Sequence, residues 1–178
     1  ADKIGISRRQ VKTVTYAFLY GAGDEKIGHS YDAQLSATSA KRKGKEIRAA
    51  YVDAVDGLAE LLSAIKKAAE RGFIKSIDGR KIDVDSPHKA LNFCLQSGAA
   101  TIAKRWMVIN QQTMKNVGIC ASQVGFIHDE LQFECEPTHT HDLCSSLVLS
   151  STEAGEYYNM RIRIDAEATT GKNWSETH

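Results

Sequence analysis

The chain has 178 residues, 42% of them apolar and 25% charged, with a formal net charge of +1. This is enough for one modest hydrophobic core or two small lobes sharing one. The near-neutral total conceals a split: residues 1–128 hold 20 Lys and Arg against 12 Asp and Glu, whereas residues 129–178 hold 3 against 10. A basic front part suits a polyanion and an acidic tail suits divalent cations or water, which excludes a uniform coating of nucleic acid.

No apolar run approaches the length of a helical membrane span, and no signal-peptide pattern opens the sequence. Cys94, Cys120, Cys135 and Cys144 lack the spacing of a disulfide framework, as expected of a chain kept in a reducing cytoplasm. The first residue is Ala1, not methionine, which leaves room for an excised, processed or trimmed piece as well as for a natural start.

In chain order, SRRQVKTVTYAFLYGAG predicts an opening helix that ends near Gly21 or Gly23. Lys41-Arg42-Lys43-Gly44-Lys45 predicts a basic loop or helix start, suited to a DNA backbone, though most such clusters are only solvated faces. Tyr51, Val55, Leu58, Leu62, Ile65 and Ala69 predict one long amphipathic helix, with Gly57 inside it at a modest cost. Residues 73–76 and 81–84 flank Asp78-Gly79, a short-hairpin signal. After Ser86-Pro87 a second long helix reaches about Asn116 and closes at Gly118. Two short strands, about 123–127 and 131–135, surround His128-Asp129-Glu130. A helix follows Pro137, and the alternation of Met160, Ile162 and Ile164 with Arg161, Arg163 and Asp165 predicts a final strand. Helices first, then strands packed on helices, give an α+β fold with a small antiparallel sheet.

Two constellations carry chemistry. Arg8, Lys12, Tyr16 and Tyr20 recur every four residues, so on a helix they form one stripe. Spacing alone leaves two readings open. The tyrosines turn inward while the cations are solvated, or the whole stripe meets a ligand, with cations for a triphosphate and rings for a nucleobase. In the second constellation, a tight turn lifts Asp129 and Glu130 from the sheet, where hard carboxylate oxygens can hold a cation such as Mg2+. Alone, such a turn is by default a pair of solvated acids.

The string Arg8-x-x-x-Lys12-x-x-x-Tyr16-x-x-x-Tyr20-Gly21 resembles the nucleotide-binding motif on the fingers helix of family A DNA polymerases, the DNA polymerase I class. Phe18 through Gly28, FLYGAGDEKIG, is similar to the branch found in short-tailed bacteriophages. Ala17 is a departure, because the family usually has glycine there. The resemblance implies that Arg8 and Lys12 contact the incoming triphosphate, that Tyr16 stacks on its base and sugar, and that Tyr20 lies beside the templating base. Tyrosine at position 16 resembles enzymes that discriminate poorly against dideoxynucleotides. Val124 through Gln132, VGFIHDELQ, resembles the palm hairpin. This implies Asp129 as a catalytic metal ligand, Glu130 in support, and His128 near the primer-terminal phosphate. Leu95-Gln96-Ser97-Gly98 resembles the segment whose glutamine checks the minor groove at the primer terminus. Asp78-Gly79-Arg80-Lys81 resembles a basic turn near the primer-template backbone, and Gly171-Lys172-Asn173-Trp174 the carboxyl end of these polymerases.

The expected organisation is a fingers-like part at residues 1–86 and a palm-like part at 87–178, within one larger polymerase domain of a phage-encoded enzyme acting in a bacterial cytoplasm. Its implied partners are primer-template DNA, dNTP, Mg2+ and an N-terminal polymerase segment in the same or a separate chain. Two-metal transfer needs a second aspartate, which the family carries on a strand upstream of the fingers helix. That strand would precede residue 1, so the chain by itself is expected to show no appreciable primer extension. A non-catalytic nucleic-acid-binding remnant is the alternative. A zinc module of Cys135, His139, His141 and Cys144 has suitable residue types, but its ligands sit too close in sequence for the usual knuckle pairs.

Overall fold

A computed structural model describes the backbone of residues 8–177 and the side chains of residues 11–177. Helices dominate, accompanied by two small antiparallel sheets, which makes the fold α+β. The chain divides into two compact units, Ala1–Gln96 and Ser97–His178.

The first unit contains α1 (Arg8–Leu19), α2 (Asp24–Tyr31), α3 (Ala37–Ala54), α4 (Leu58–Ala69), β1 (Phe73–Lys75) and β2 (Lys81–Asp83). It also holds the start of α5 (Ala90–Val117), which continues into the second unit. Phe18, Leu58, Ile65, Ala69, Ile74, Val84, Ala90 and Leu91 form its main core. Val14, Ile27 and Ile47 form a smaller one that ties α1, α2 and α3 together. Hydrophobic burial is the main favourable term here, at about 25 cal/mol per Å² of apolar surface.

The predicted helix through Gly57 is in fact two helices. Gly57 has φ 78 and ψ −3, a left-handed conformation that ends the run from α3 and caps α4. A side chain would make that conformation costly, so glycine marks a break here rather than a weak point inside one helix. The basic run Lys41–Lys45 also differs from expectation, because it lies inside α3, past a first turn capped by the Ser36 hydroxyl accepting from the Ser39 N–H. Helix α2 has no counterpart in the periodicity reading. It has eight residues and its buried positions are only Ile27 and Gly28, too few for a pattern, although Asp24 and Glu25 in its first turn suit the helix dipole.

Helices α2 and α3 meet through glycines. A Cβ on Gly28 would strike the Ala40 carbonyl, and one on Gly44 would strike the Asp24 carbonyl. The two backbones therefore approach more closely than any side chain allows.

The second unit contains the rest of α5, β3 (Ala121–Ile127), β4 (Glu130–Cys135) and α6 (Thr140–Tyr157). Its helices are joined by polar contacts that no hydrophobic pattern announces. Trp106 Nε1 donates to the Leu147 carbonyl at 2.8 Å, and the fully buried Asn110 accepts from the Ser146 and Ser150 hydroxyls at 2.8 and 3.3 Å. The strand expected at 160–165 is absent, as that segment has no strand assignment. It joins neither sheet, since β1 pairs only with β2 and β3 only with β4. It is held instead on α6, where Thr152 Oγ1 donates to the Ile164 carbonyl at 3.0 Å and Ile164 packs over Gly155. Of the three alternating apolar side chains only Ile164 is partly buried, and Ile162 is left 69% exposed.

Candidate functional site

The face of α1 that carries the stripe is turned outward. Val14 and Phe18 are 1% and 3% exposed, whereas Tyr16 and Tyr20 are 50% and 57% exposed. Four-residue spacing places the two rings on successive turns, 6.3 Å apart and 23° from parallel. Lys12, one turn earlier, is exposed as well. The inward-tyrosine reading is therefore wrong, because the core already takes the opposite face. Arg8 opens α1, and its side chain lies outside the described residues.

Arg48 on α3 holds the end of this helix in place. Its Nη2 donates to the Ala22 carbonyl and its Nε to Asp24 Oδ1, both at 2.6 Å, while its guanidinium lies 5.4 Å from the Phe18 ring centre. One side chain thus joins the turn after Tyr20 to the first turn of α2. Nothing local in the sequence marks Arg48, since Asp24 and Ala22 lie 24 and 26 residues away. The planar fork suits this double role and an ammonium does not. Arg48→Ala is expected to cost about 1–2 kcal/mol, reduced from the usual range for charged hydrogen bonds because the pair is about one-third exposed. Arg48→Lys should recover only part of it. Chemical denaturation of the three proteins checks the order, and an unchanged midpoint in Arg48→Ala would remove Arg48 from this role.

In the second unit, β3 and β4 pair from Ala121↔Cys135 to Ile127↔Glu130. His128 and Asp129 are the two residues of the connecting turn, and Glu130 begins β4. His128 has φ 56, a left-handed value uncommon for a residue with a side chain. Such conformations cluster at functional sites, where the surroundings hold them against their cost. The register shifts between Gln123 and Gly125, so Val124 is an extra residue that bends the strand just before the turn. His128 and Asp129 are exposed, and the half-buried Glu130 accepts a hydrogen bond from Gln132 Nε2.

Gln96 is exposed two turns into α5. Arg80 sits at the tip of the β1–β2 hairpin, where its Nε donates to Asp78 Oδ2. Desolvation alone would push the Asp78 carboxyl up, but hydrogen bonds and charge from Arg80 hold it below the usual carboxylate range.

Two oxygen-donor side chains side by side suit a hard cation. Among the described residues, no group of three or more His, Cys, Asp or Glu is placed to hold a metal. This applies to the cysteine–histidine stretch too, where Cys135 Sγ meets Thr140 Oγ1 at 3.7 Å and His141 Nδ1 faces Asp142 Oδ1 at 3.4 Å. Burial, with Cys135 nearby, pushes the Cys144 thiol up. No described helix is long and apolar enough to cross a membrane.

The model for DNA polymerase family A matches residues 5–176. The chain belongs to this family. It is 34% identical to the DNA-directed DNA polymerase of Enterobacteria phage T3 and 32% identical to that of Escherichia phage T7, each over 97% of this chain. It spans 27% of the length of either relative. Among solved structures, the POL domain of Pol1 from M. smegmatis, in complex with DNA primer-template and dNTP, superposes with a TM-score of 0.70 at 25% identity. The match covers 83% of this chain and 27% of that one.

Proposed function

We propose that this chain supplies the nucleotide-gripping and hairpin-carboxylate parts of a DNA-directed DNA polymerase. The parent enzyme adds dNTP to a primer 3′-hydroxyl and releases pyrophosphate. The observation that carries this reading is the outward face of α1, where exposed Lys12 precedes two exposed, stacked tyrosines. Arg8 and Lys12 offset the charge of the triphosphate, Tyr16 stacks on the base and sugar of the incoming nucleotide, and Tyr20 adjoins the templating base. Gln96 reads minor-groove acceptors common to all base pairs, and Arg80 contacts the primer-template backbone. His128 approaches the primer-terminal phosphate. In this scheme residues 1–86 are fingers-like and residues 87–178 palm-like.

Asp129 and Glu130 fit Mg2+, since both offer carboxylate oxygen and Asp129 has no hydrogen-bond or ion-pair partner among the described residues. Held by Asp129 and Glu130, Mg2+ would supply activation of the primer hydroxyl and neutralisation of charge on the phosphate. The remaining donors come from an N-terminal polymerase segment, in the same chain or a separate one. Its work is done in the cytoplasm of a bacterial host, a reading that the likeness to phage polymerases supports.

Titration of labelled dNTP against the wild type and Lys12→Ala tests the proposal. A charged hydrogen bond is worth about 1.5–3 kcal/mol, so affinity should fall roughly ten- to a hundredfold. Because Lys12 is exposed, thermal stability should stay the same. Equal affinities in the two proteins would favour a nucleic-acid-binding remnant without catalysis.

A further inference from the structure

Helix α1 ends in a turn that is fixed from several sides. Gly21, with φ 73, takes the left-handed conformation that stops the helix. The Ala22 N–H then donates back to the Ala17 carbonyl at 2.8 Å, and the Gly21 N–H to the Phe18 carbonyl at 3.0 Å. Together these bonds satisfy two carbonyls that a helix end otherwise leaves open. In such a turn the two residues joined by the longer-range bond are commonly apolar, because their side chains fall on the same side. Here Ala17 and Ala22 both pack on the core of Val14, Ile27 and Ile47. The turn is also enclosed from outside, since a Cβ on Gly21 would strike the His88 carbonyl and Arg48 Nη2 donates to the Ala22 carbonyl.

Ala17 stands inside the turn that separates the two rings of the stripe. The Tyr20 N–H donates to the Tyr16 carbonyl at 2.9 Å, closing that turn and setting the rings 6.3 Å apart. Tyr16 and Tyr20 are 50% and 57% exposed, so the backbone between them holds their spacing more than any packing of the rings does. Alanine restricts that backbone and adds a methyl on the core side. Glycine would do neither.

We propose that Ala17 is a positioning residue for nucleotide binding. Its methyl, seated with Ala22 on the Val14, Ile27 and Ile47 core, fixes the last turn of α1 and with it the placement of the Tyr16 and Tyr20 rings. The inference rests on the polymerase reading, in which Tyr16 stacks on the incoming base and Lys12 meets the triphosphate.

Two ligands separate the base from its phosphates: a dNTP, and inorganic tripolyphosphate, which has no base to stack. Calorimetric titration of both is compared in wild type, Ala17→Gly, Ala22→Gly, Ala17→Ser and Lys12→Ala, with circular dichroism showing that each variant is folded at the titration temperature. Ala17→Gly should weaken dNTP binding by roughly three- to tenfold, part of what stacking on a base contributes. It should leave tripolyphosphate binding unchanged, because Lys12 lies more than one helical turn earlier. Ala22→Gly removes the companion methyl from outside the helix and should weaken dNTP binding in the same way. Ala17→Ser keeps a Cβ and should bind dNTP nearly as wild type does. A merely structural role would lower the melting temperature and leave the ratio of the two affinities at its wild-type value. The inference falls if Ala17→Gly leaves dNTP affinity intact or weakens both ligands equally. It falls also if Ala22→Gly binds dNTP as wild type does, or if Ala17→Ser binds it as weakly as Ala17→Gly. Lys12→Ala keeps the two readings apart. If it weakens both ligands while Ala17→Gly weakens neither, only this inference is lost; if it weakens neither, the polymerase reading beneath it is lost as well.

Discussion

A chain carrying Gly28→Ala together with Gly44→Ala is expected to lose about 3 kcal/mol of stability or more. Both glycines are buried, and each added methyl would meet a backbone carbonyl of the facing helix, Ala40 for Gly28 and Asp24 for Gly44. Carbonyls cannot rotate aside as side-chain ends can, so α2 and α3 must separate. Overpacking a core position typically costs about 1–3 kcal/mol, and a clash with a facing backbone belongs at the upper end, so that about 4 kcal/mol remains for the two sites after alanine's higher helix propensity returns about 1 kcal/mol at each. Separation also opens the small core of Val14, Ile27 and Ile47. For a protein of this size the loss corresponds to a melting temperature lower by roughly 6–12 °C. Gly23→Ala is the control, since nothing lies within 4 Å of its added methyl and its φ of −67 suits any residue. Thermal melts followed by circular dichroism decide the matter. A loss below about 1 kcal/mol in the double variant would show that these helices tolerate a wider spacing.

The purified chain, given primer-template, dNTP and Mg2+, is expected to extend no primer while still binding nucleotide. Phosphoryl transfer of this kind uses two ions about 3.5–4 Å apart, held jointly by carboxylates. The hairpin offers Asp129 at the turn and Glu130 at the start of β4, and Glu130 already accepts a bond from Gln132. No third His, Cys, Asp or Glu among the described residues is grouped with them. If each missing charge-stabilising contact is worth roughly 3 kcal/mol, two reduce the rate by more than about 10⁴. The measurement is primer extension by gel at high enzyme concentration, with nucleotide titration on the same preparation. Robust extension by the chain alone would falsify the claim that its carboxylates are insufficient.

The two constellations were visible in the sequence because each depends on short-range geometry. Four-residue spacing places Lys12, Tyr16 and Tyr20 on one helical face whatever surrounds them. Two strand-forming runs around His128-Asp129 produce a hairpin with those residues in the turn. The β1–β2 hairpin and the closing of α5 before Gly118 were legible for the same reason. Elements failed where the signal was shared or too short. Gly57 reads equally well as a tolerated helix glycine or a stop, and only its left-handed backbone distinguishes them. Residues 160–165 alternate as a strand does, yet alternation yields a strand only where another strand offers its edge.

Local chemistry thus determined which side chains share a face and which share a turn, while the family came from the resemblance of those strings and the match of residues 5–176. Tertiary structure decided which way each face points. Whether the tyrosines were core or exposed surface depended on Val14 and Phe18 taking the interior, a choice made by residues on α2, α3 and α4. The same holds for Arg48, whose partners lie more than 20 residues away, and for Gly28 and Gly44, whose lack of a side chain matters only because another backbone lies against it. Spacing along a chain sets direction around a helix, but burial is a property of what packs against it.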